Sequence, residues 1–224
     1  MRKLLLILTI ITVSLLIKFS GFASYLTLEN LQKYRYTLEY FVNNNYLLAS
    51  FIYILIYIFV VMLSIPGASV MSLAGGYFFK FFPGILYINF AAVTGATLAF
   101  LVARYILGDF IQKRYTDKLK IFNEEMDKNG HLYLLTLRFI PIFPFFMVNI
   151  FAALSNVKLF TYIWTTAVGI FPASIVFTYA GKTLYNIRSV DEVISKEVFI
   201  AFVLLGILSQ IPNLIKRISK SKNR

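Results

Sequence analysis

Cysteine is absent from this 224-residue chain, which excludes disulfides, thiolate metal sites and cysteine nucleophiles and leaves the redox compartment open. His131 is the one histidine, so neither the usual metal-ligand sets nor a histidine-centred acid–base pair can be assembled. Acid is scarce in a patterned way, with no Asp or Glu between Glu39 and Asp109 or between Asp127 and Asp191. Charged residues make up 14% of the chain, against roughly 25% in an ordinary soluble domain. No catalytic pair, phosphate loop or nucleophile elbow is visible. The expectation is therefore a non-enzyme that needs no metal and no cofactor.

What the chain has instead is apolar length. Hydrophobic residues make up 59% and the net charge is +12. The bases sit mainly at the ends of apolar runs, so anionic lipid headgroups, and not nucleic acid, are the expected partners. The predicted fold is an all-α polytopic membrane protein with about five or six transmembrane helices and two re-entrant or broken helices related by an inverted repeat.

Three parts are expected. Residues 1–45 hold an apolar run from Leu4 to Ile17 behind a basic start, read as an uncleaved signal-anchor, with a cleaved signal peptide as the alternative. An amphipathic interfacial helix follows, with Leu28, Leu31, Leu38 and Phe41 near helical spacing and Tyr34, Tyr36 and Tyr40 suited to the headgroup level. Residues 46–181 form the membrane domain. Residues 182–224 supply a connection, a final span from Val198 to about Ile215, and a basic tail.

Inside the membrane domain the run Tyr46 to Ile65 is long enough to span, and the segment from Pro66 to Gly84 is then punctuated by Gly67, Gly75, Gly76 and Pro83. Continuous helix through such a composition is not expected. Irregular backbone at membrane depth is tolerated only where protein buries it or where it lines a wet cavity, which predicts a re-entrant or broken helix. Ile85 to Leu107 reads as a span with a small-residue stripe at Ala91, Gly95, Ala99 and Ala103. The charged stretch Asp109 to Gly130 reads as a solvated or interfacial helix. His131 to Leu154 is a second punctuated segment, either crossing or re-entering, so orientation stays open. Phe160 to Ala180 is a span with Gly169 and Pro172 expected to break it. A shift of 78 residues superposes Pro66 on Pro144, Ala74 on Ala152, Gly75 on Ala153 and Lys80 on Lys158.

The candidate substrate-binding residues follow from this layout. Arg138 lies several residues inside an apolar run with no acid nearby. It therefore faces the bundle interior, a cavity or an anionic ligand, or else snorkels to the interface or caps backbone carbonyls. Its planar fork suits a phosphate. Arg104 ends its span and snorkelling is its competing role. Lys80 and Lys158 occupy matching places after the two broken segments, where interfacial anchoring is the default. Asn149 can cap a helix or line a pathway. Pro66, Gly67, Gly75, Gly76, Pro141 and Pro144 supply the breaks.

The fragments "IPGASVMSLAGGYFFKFFPG", "GATLAFLVARYILG", "RFIPIFPFFMVNIFAAL" and "GIFPASIVFTYAG" together resemble the DedA superfamily, and more narrowly its SNARE-associated Golgi protein branch, which carries the VTT domain. The similarity runs from about Tyr46 to Gly181. It implies two re-entrant segments meeting in the membrane and a role in moving lipid, of phospholipid or polyprenyl-phosphate type, across a bilayer. Arg138 matches the family's arginine before two prolines three residues apart, here Pro141 and Pro144. Arg104 matches the family's arginine near the end of the span after the first re-entrant segment. The first re-entrant segment lacks the acidic residues that classical DedA members carry, and Ser69 and Ser72 stand in that neighbourhood. Uncoupled scrambling therefore fits better than proton coupling. The alternatives are a secondary transporter of a small anion or drug, with His131 as its titrating group, and a non-transporting membrane factor acting through partners. The Lys-, Ile- and Asn-rich composition points to the cytoplasmic membrane of a low-GC bacterium.

Overall fold

The computed structural model describes residues 26–65, 67–107, 116–139 and 144–182, with backbone alone for 116–119, 121 and 129. The expected signal-anchor at 4–17, the final span at 198–215, Pro66 and Pro141 lie outside the described residues. The described residues are helical, with no strand among them.

Helix α1 (Leu28–Lys33) starts where the Thr27 hydroxyl accepts the Asn30 N–H at 3.2 Å, with Glu29 in its first turn and Lys33 in its last, a charge placement that complements the helix dipole. Helix α2 (Arg35–Asn44) follows directly. Leu28 and Leu31 are buried and Tyr34, Tyr36 and Tyr40 exposed. Leu38 and Phe41, also expected on the apolar face, overhang an open apolar groove of 380 Å³ shared with Tyr53 and Met71.

Helix α3 (Tyr46–Met62) has 17 residues, shorter than the predicted run to Ile65. Its end is chemical: Ser64 N–H donates to the Val61 carbonyl and Ile65 N–H to the Val60 carbonyl, the two bonds of a Schellman cap. Ser64 has φ 54° there, in the left-handed region usually left to glycine. Gly67 then takes φ 130°, and a Cβ on it would press on Leu26.

Helix α4 (Ala68–Phe78) runs unbroken through Gly75 and Gly76, which corrects the expectation that these glycines interrupt the backbone. They serve contact instead. A Cβ on Gly76 would meet the backbone of Thr178, and one on Gly181 the Leu73 carbonyl. Two backbones thus touch, the close approach that small residues permit between membrane helices. The break comes at Lys80, whose φ is 62° and ψ 176°. Helix α5 (Phe81–Val102) then begins, with Pro83 in its first turn, where a missing N–H removes no intrahelical bond. It continues as a π-helical turn, Ala103–Leu107. Ala91 and Ala103 are buried, and a Cβ on Gly95 would press on Ile58 and Val61 of α3, so the small-residue stripe does bring a neighbour close.

Helix α6 (Thr116–Asn129) lies within the charged stretch, with Lys128 paired to Glu125 at 3.6 Å. Gly130 at φ 58° separates it from α7 (His131–Phe139). Helix α8 (Phe145–Leu154) starts behind Pro144, and α9 (Leu159–Gly181) behind Lys158. Helix α9 passes through Pro172 without interruption, against expectation. Pro172 has no N–H to give the Val168 carbonyl four residues back, and the helix continues to Gly181 nonetheless.

Helices α5 and α9 form the centre. Helix α5 packs on α3, α4, α8 and α9, and α9 on α4, α5 and α7. Phe81–Ile106 and Leu159–Gly181 are long and apolar enough to cross a membrane; α3 and α8 are shorter apolar helices. Ser64→Gly and Gly67→Ala should have opposite effects on thermal unfolding in detergent. The first relieves a left-handed position and stabilises by about 1 kcal/mol; the second destabilises, having neither the φ nor the room.

Candidate functional site

Arg138 comes from the last turn of α7, and its position is set by what faces it across α9. A Cβ on Gly169 would collide with Arg138 Cβ, so only a glycine there lets the arginine stem lie along the helix. The guanidinium extends past it to a polar cluster. Nη2 donates toward Asn149 Oδ1 at 2.9 Å, Tyr162 Oη at 3.0 Å and Thr166 Oγ1 at 2.9 Å. With two protons for three acceptors, one bond is shared. Cζ sits 4.5 Å from the Phe145 ring centre and 5.3 Å from that of Tyr162, within cation–π range.

The cluster is closed to water on the helix side. Asn149, Tyr162 and Thr166 are each at most 1% exposed. The Tyr162 hydroxyl donates toward Asn149 Oδ1 at 2.7 Å and toward the Ala96 carbonyl at 3.1 Å, while its ring stacks on Phe100 at 4.2 Å. Since Asn149 Oδ1 accepts two hydrogen bonds, the orientation of its amide is fixed by the network. Its Nδ2 is left buried without a partner, and so is Arg138 Nη1. No carboxylate of the described residues pairs with Arg138. The arginine as a whole keeps partial exposure, but Nη1 does not share in it. A buried cation with neutral neighbours and an unpartnered Nη1, joined in one cluster with an unpartnered amide nitrogen, is matched chemically by an anion that brings several acceptor oxygens.

Arg104 lies elsewhere. Projecting from the π-helical turn, its Nε donates to the Ala153 carbonyl at 2.8 Å, and its Nη2 to those of Ser155 and Val157 at 2.8 Å and of Ala152 at 3.2 Å. These include the orphan carbonyls at the end of α8, where the helix dipole is negative. The ring of Phe100 lies 4.3 Å below the guanidinium. Carbonyl capping, foreseen as a competing role for Arg138, belongs to Arg104. The Arg104 Nε and Nη2 donors are thereby taken up by protein carbonyls.

The remaining sequence candidates are spread over the molecule. Asn149 joins Arg138. Pro144 is the N-cap of α8, next to Phe145 and so close to the guanidinium. Lys80 and Lys158 each stand exposed immediately before a long helix; Lys80 borders a shallow hollow with Glu39, Tyr77 and Lys182. Gly67, Gly75 and Gly76 serve the backbone and packing around α4. His131 lies against Trp164, 5.1 Å between ring centres. Tyr162, Thr166 and Gly169 went unnoticed as site residues, although a tyrosine and a threonine in a plain span are a signal in themselves. Among the described residues no group of three His, Cys, Asp or Glu side chains could hold a metal ion.

A model of the VTT domain matches residues 65–183, a stretch that contains α4 to α9 and the whole arginine cluster. The chain belongs to the VTT-domain family. This VTT-domain protein is similar to Transmembrane protein 41 homolog of Dictyostelium discoideum, at 30% identity over 183 residues, covering 80% of this chain and 55% of the relative. It is 25% identical over 197 residues to the homolog of Caenorhabditis elegans, 87% of this chain and 80% of the relative. Transmembrane protein 41B of Xenopus tropicalis is 27% identical over 173 residues, 76% of this chain and 62% of that protein. The Dictyostelium and Xenopus relatives thus extend well beyond this chain. No solved structure matches it. These relatives place the chain in the DedA and SNARE-associated Golgi protein family as a multi-pass membrane protein. All three are eukaryotic and lend no support to the bacterial origin expected from composition.

Arg104→Lys keeps the charge but cannot reproduce the forked contact with the end of α8. Denaturation in detergent should show a loss of about 2 kcal/mol. Unchanged stability would mean that the charge alone suffices.

Proposed function

We propose that this VTT-domain protein moves lipid across its membrane by a scramblase- or flippase-like route, without enzymatic chemistry, and that Arg138 receives the lipid phosphate. The observation that carries this reading is the pair of buried, unpartnered donors, Arg138 Nη1 and Asn149 Nδ2. In an apolar surrounding an uncompensated guanidinium is costly, from about 2.5 kcal/mol upward at membrane depth. A phosphate that visits it offsets that cost and needs no bond to be broken. The N-terminus of α8 supports the same ligand, since its N-cap residue Pro144 has no side-chain group to cap it and its first N–H groups favour negative charge.

The proposal includes a pair of inverted repeats, α3–α4–α5 and α7–α8–α9, within a bundle of five or six spans. In favour of it, α5 begins at Phe81 and α9 at Leu159, 78 residues later, each directly behind a lysine. Asn89 Nδ2 also donates to the Ala167 carbonyl at 3.1 Å, across the same separation of 78. A two-fold relation between the proposed halves would bring such a pair together. Proton coupling has no support in this cluster, whose members are all neutral apart from the arginine.

Liposomes reconstituted with the protein and a fluorescent phospholipid test the proposal. Lipid should equilibrate between leaflets at least about tenfold faster than in empty liposomes, and Arg138→Gln should remove most of that gain, the loss of a charged hydrogen bond being worth about 1.5–3 kcal/mol. Equilibration no faster than in empty liposomes, or an Arg138→Gln variant as fast as the parent, overturns it.

A further inference from the structure

A cavity of 170 Å³ lies where α3, α4, α5, α8 and α9 converge. It has room for more than one water, whose share of liquid volume is about 30 Å³. Its walls are apolar except for hydroxyls: Tyr57, Ser69, Ser72 and Ser174 line it, and no charged side chain does. The hydrogens of three of these hydroxyls are already placed. Ser72 donates to the Ala68 carbonyl at 3.0 Å, so in the 2.7 Å contact between Tyr57 and Ser72 the tyrosine is the donor. Ser174 donates to the Ile170 carbonyl at 3.1 Å. What Tyr57 and Ser174 have left are oxygen lone pairs, so these two present acceptors without a charge.

Phe145 lines this cavity, and the same ring carries the Arg138 guanidinium at 4.5 Å. The acceptor-lined cavity and the donor-bearing arginine cluster are therefore separated by one aromatic side chain at the start of α8. Resting on the reading of Arg138 as the phosphate site, we infer that the arginine cluster and this cavity together form one composite site for a phospholipid headgroup, phosphate at Arg138 and the terminal polar group in the cavity. Such a cavity selects a headgroup that ends in hydrogen-bond donors, O–H or N–H, over one that ends in a quaternary ammonium. A trimethylated nitrogen has no proton to give and would leave the remaining lone pairs of Tyr57 and Ser174 desolvated and unmet. Leaving buried polar groups unpaired is the commonest source of such discrimination.

The test compares, in one series of liposomes, fluorescent lipids bearing glycerol, ethanolamine and choline headgroups. The parent should move the glycerol and ethanolamine lipids at least about threefold faster than the choline lipid. Ser174→Ala and Tyr57→Phe, which delete the acceptors, should each bring that ratio toward one. Because the ratio is taken within one preparation, it does not depend on how much of a variant has folded. A parent ratio near one, or a ratio retained in both variants, overturns the composite site while Arg138-dependent movement still stands. A parent that moves none of the three lipids overturns the phosphate reading itself.

Discussion

One uncompensated charge organises this molecule. The Arg138 guanidinium is held among neutral oxygens, an aromatic ring and apolar helix faces, with no described carboxylate to balance it. Every neighbour compensates in part. Asn149, Tyr162 and Thr166 turn their oxygens toward it, and Tyr162 is itself anchored by stacking on Phe100. Gly169 gives up a side chain so that the arginine stem can pass. Partial compensation stabilises the fold around the charge yet leaves it free to attract an anion, whereas an ion pair would have satisfied it outright.

Two interruptions of the backbone make that placement feasible. The short helices α4 and α8 pack against the long helices, α4 on α9 and α8 on α5. Short helices expose their ends within the apolar region, where orphan N–H and carbonyl groups must find partners. At the end of α3 the chain solves this with a Schellman cap. At the end of α8 it uses Arg104, brought into register by the π-helical turn at Ala103–Leu107. Such extra-residue turns often re-aim a side chain at a functional place. The two arginines thus have separate tasks at opposite ends of one short helix.

The sequence announces the helical class, the breaks between helices and the inward placement of Arg138, because apolar runs, Gly/Pro punctuation and a lone internal cation are each local signals. It is equally informative about Asn149, a polar residue in an apolar run. It misleads at Gly75, Gly76 and Pro172, where composition suggests interruption but tertiary contact keeps the helix intact. Glycine's propensity penalty is outweighed once a second backbone packs against it, as Thr178 does at Gly76. The partners of Arg104 could not be read in advance. Carbonyl capping depends on which helix end lies some fifty residues further along the chain, and no spacing rule carries that information.

The clamp at one end of α8 has a mechanical corollary. Arg104 ties the carbonyls from Ala152 to Val157 to the end of α5, while the Pro144 end has no side-chain cap. A ten-residue helix is a rod of about 15 Å, pinned at its C-terminus. A tilt of about 10° around that pivot displaces the opposite tip by roughly 2–3 Å, by the geometry of the same rod. That tip carries Phe145, the ring between the arginine and the hydroxyl cavity. Such a tilt would displace the ring between the arginine and the hydroxyl cavity more than it displaces the Arg104 contact.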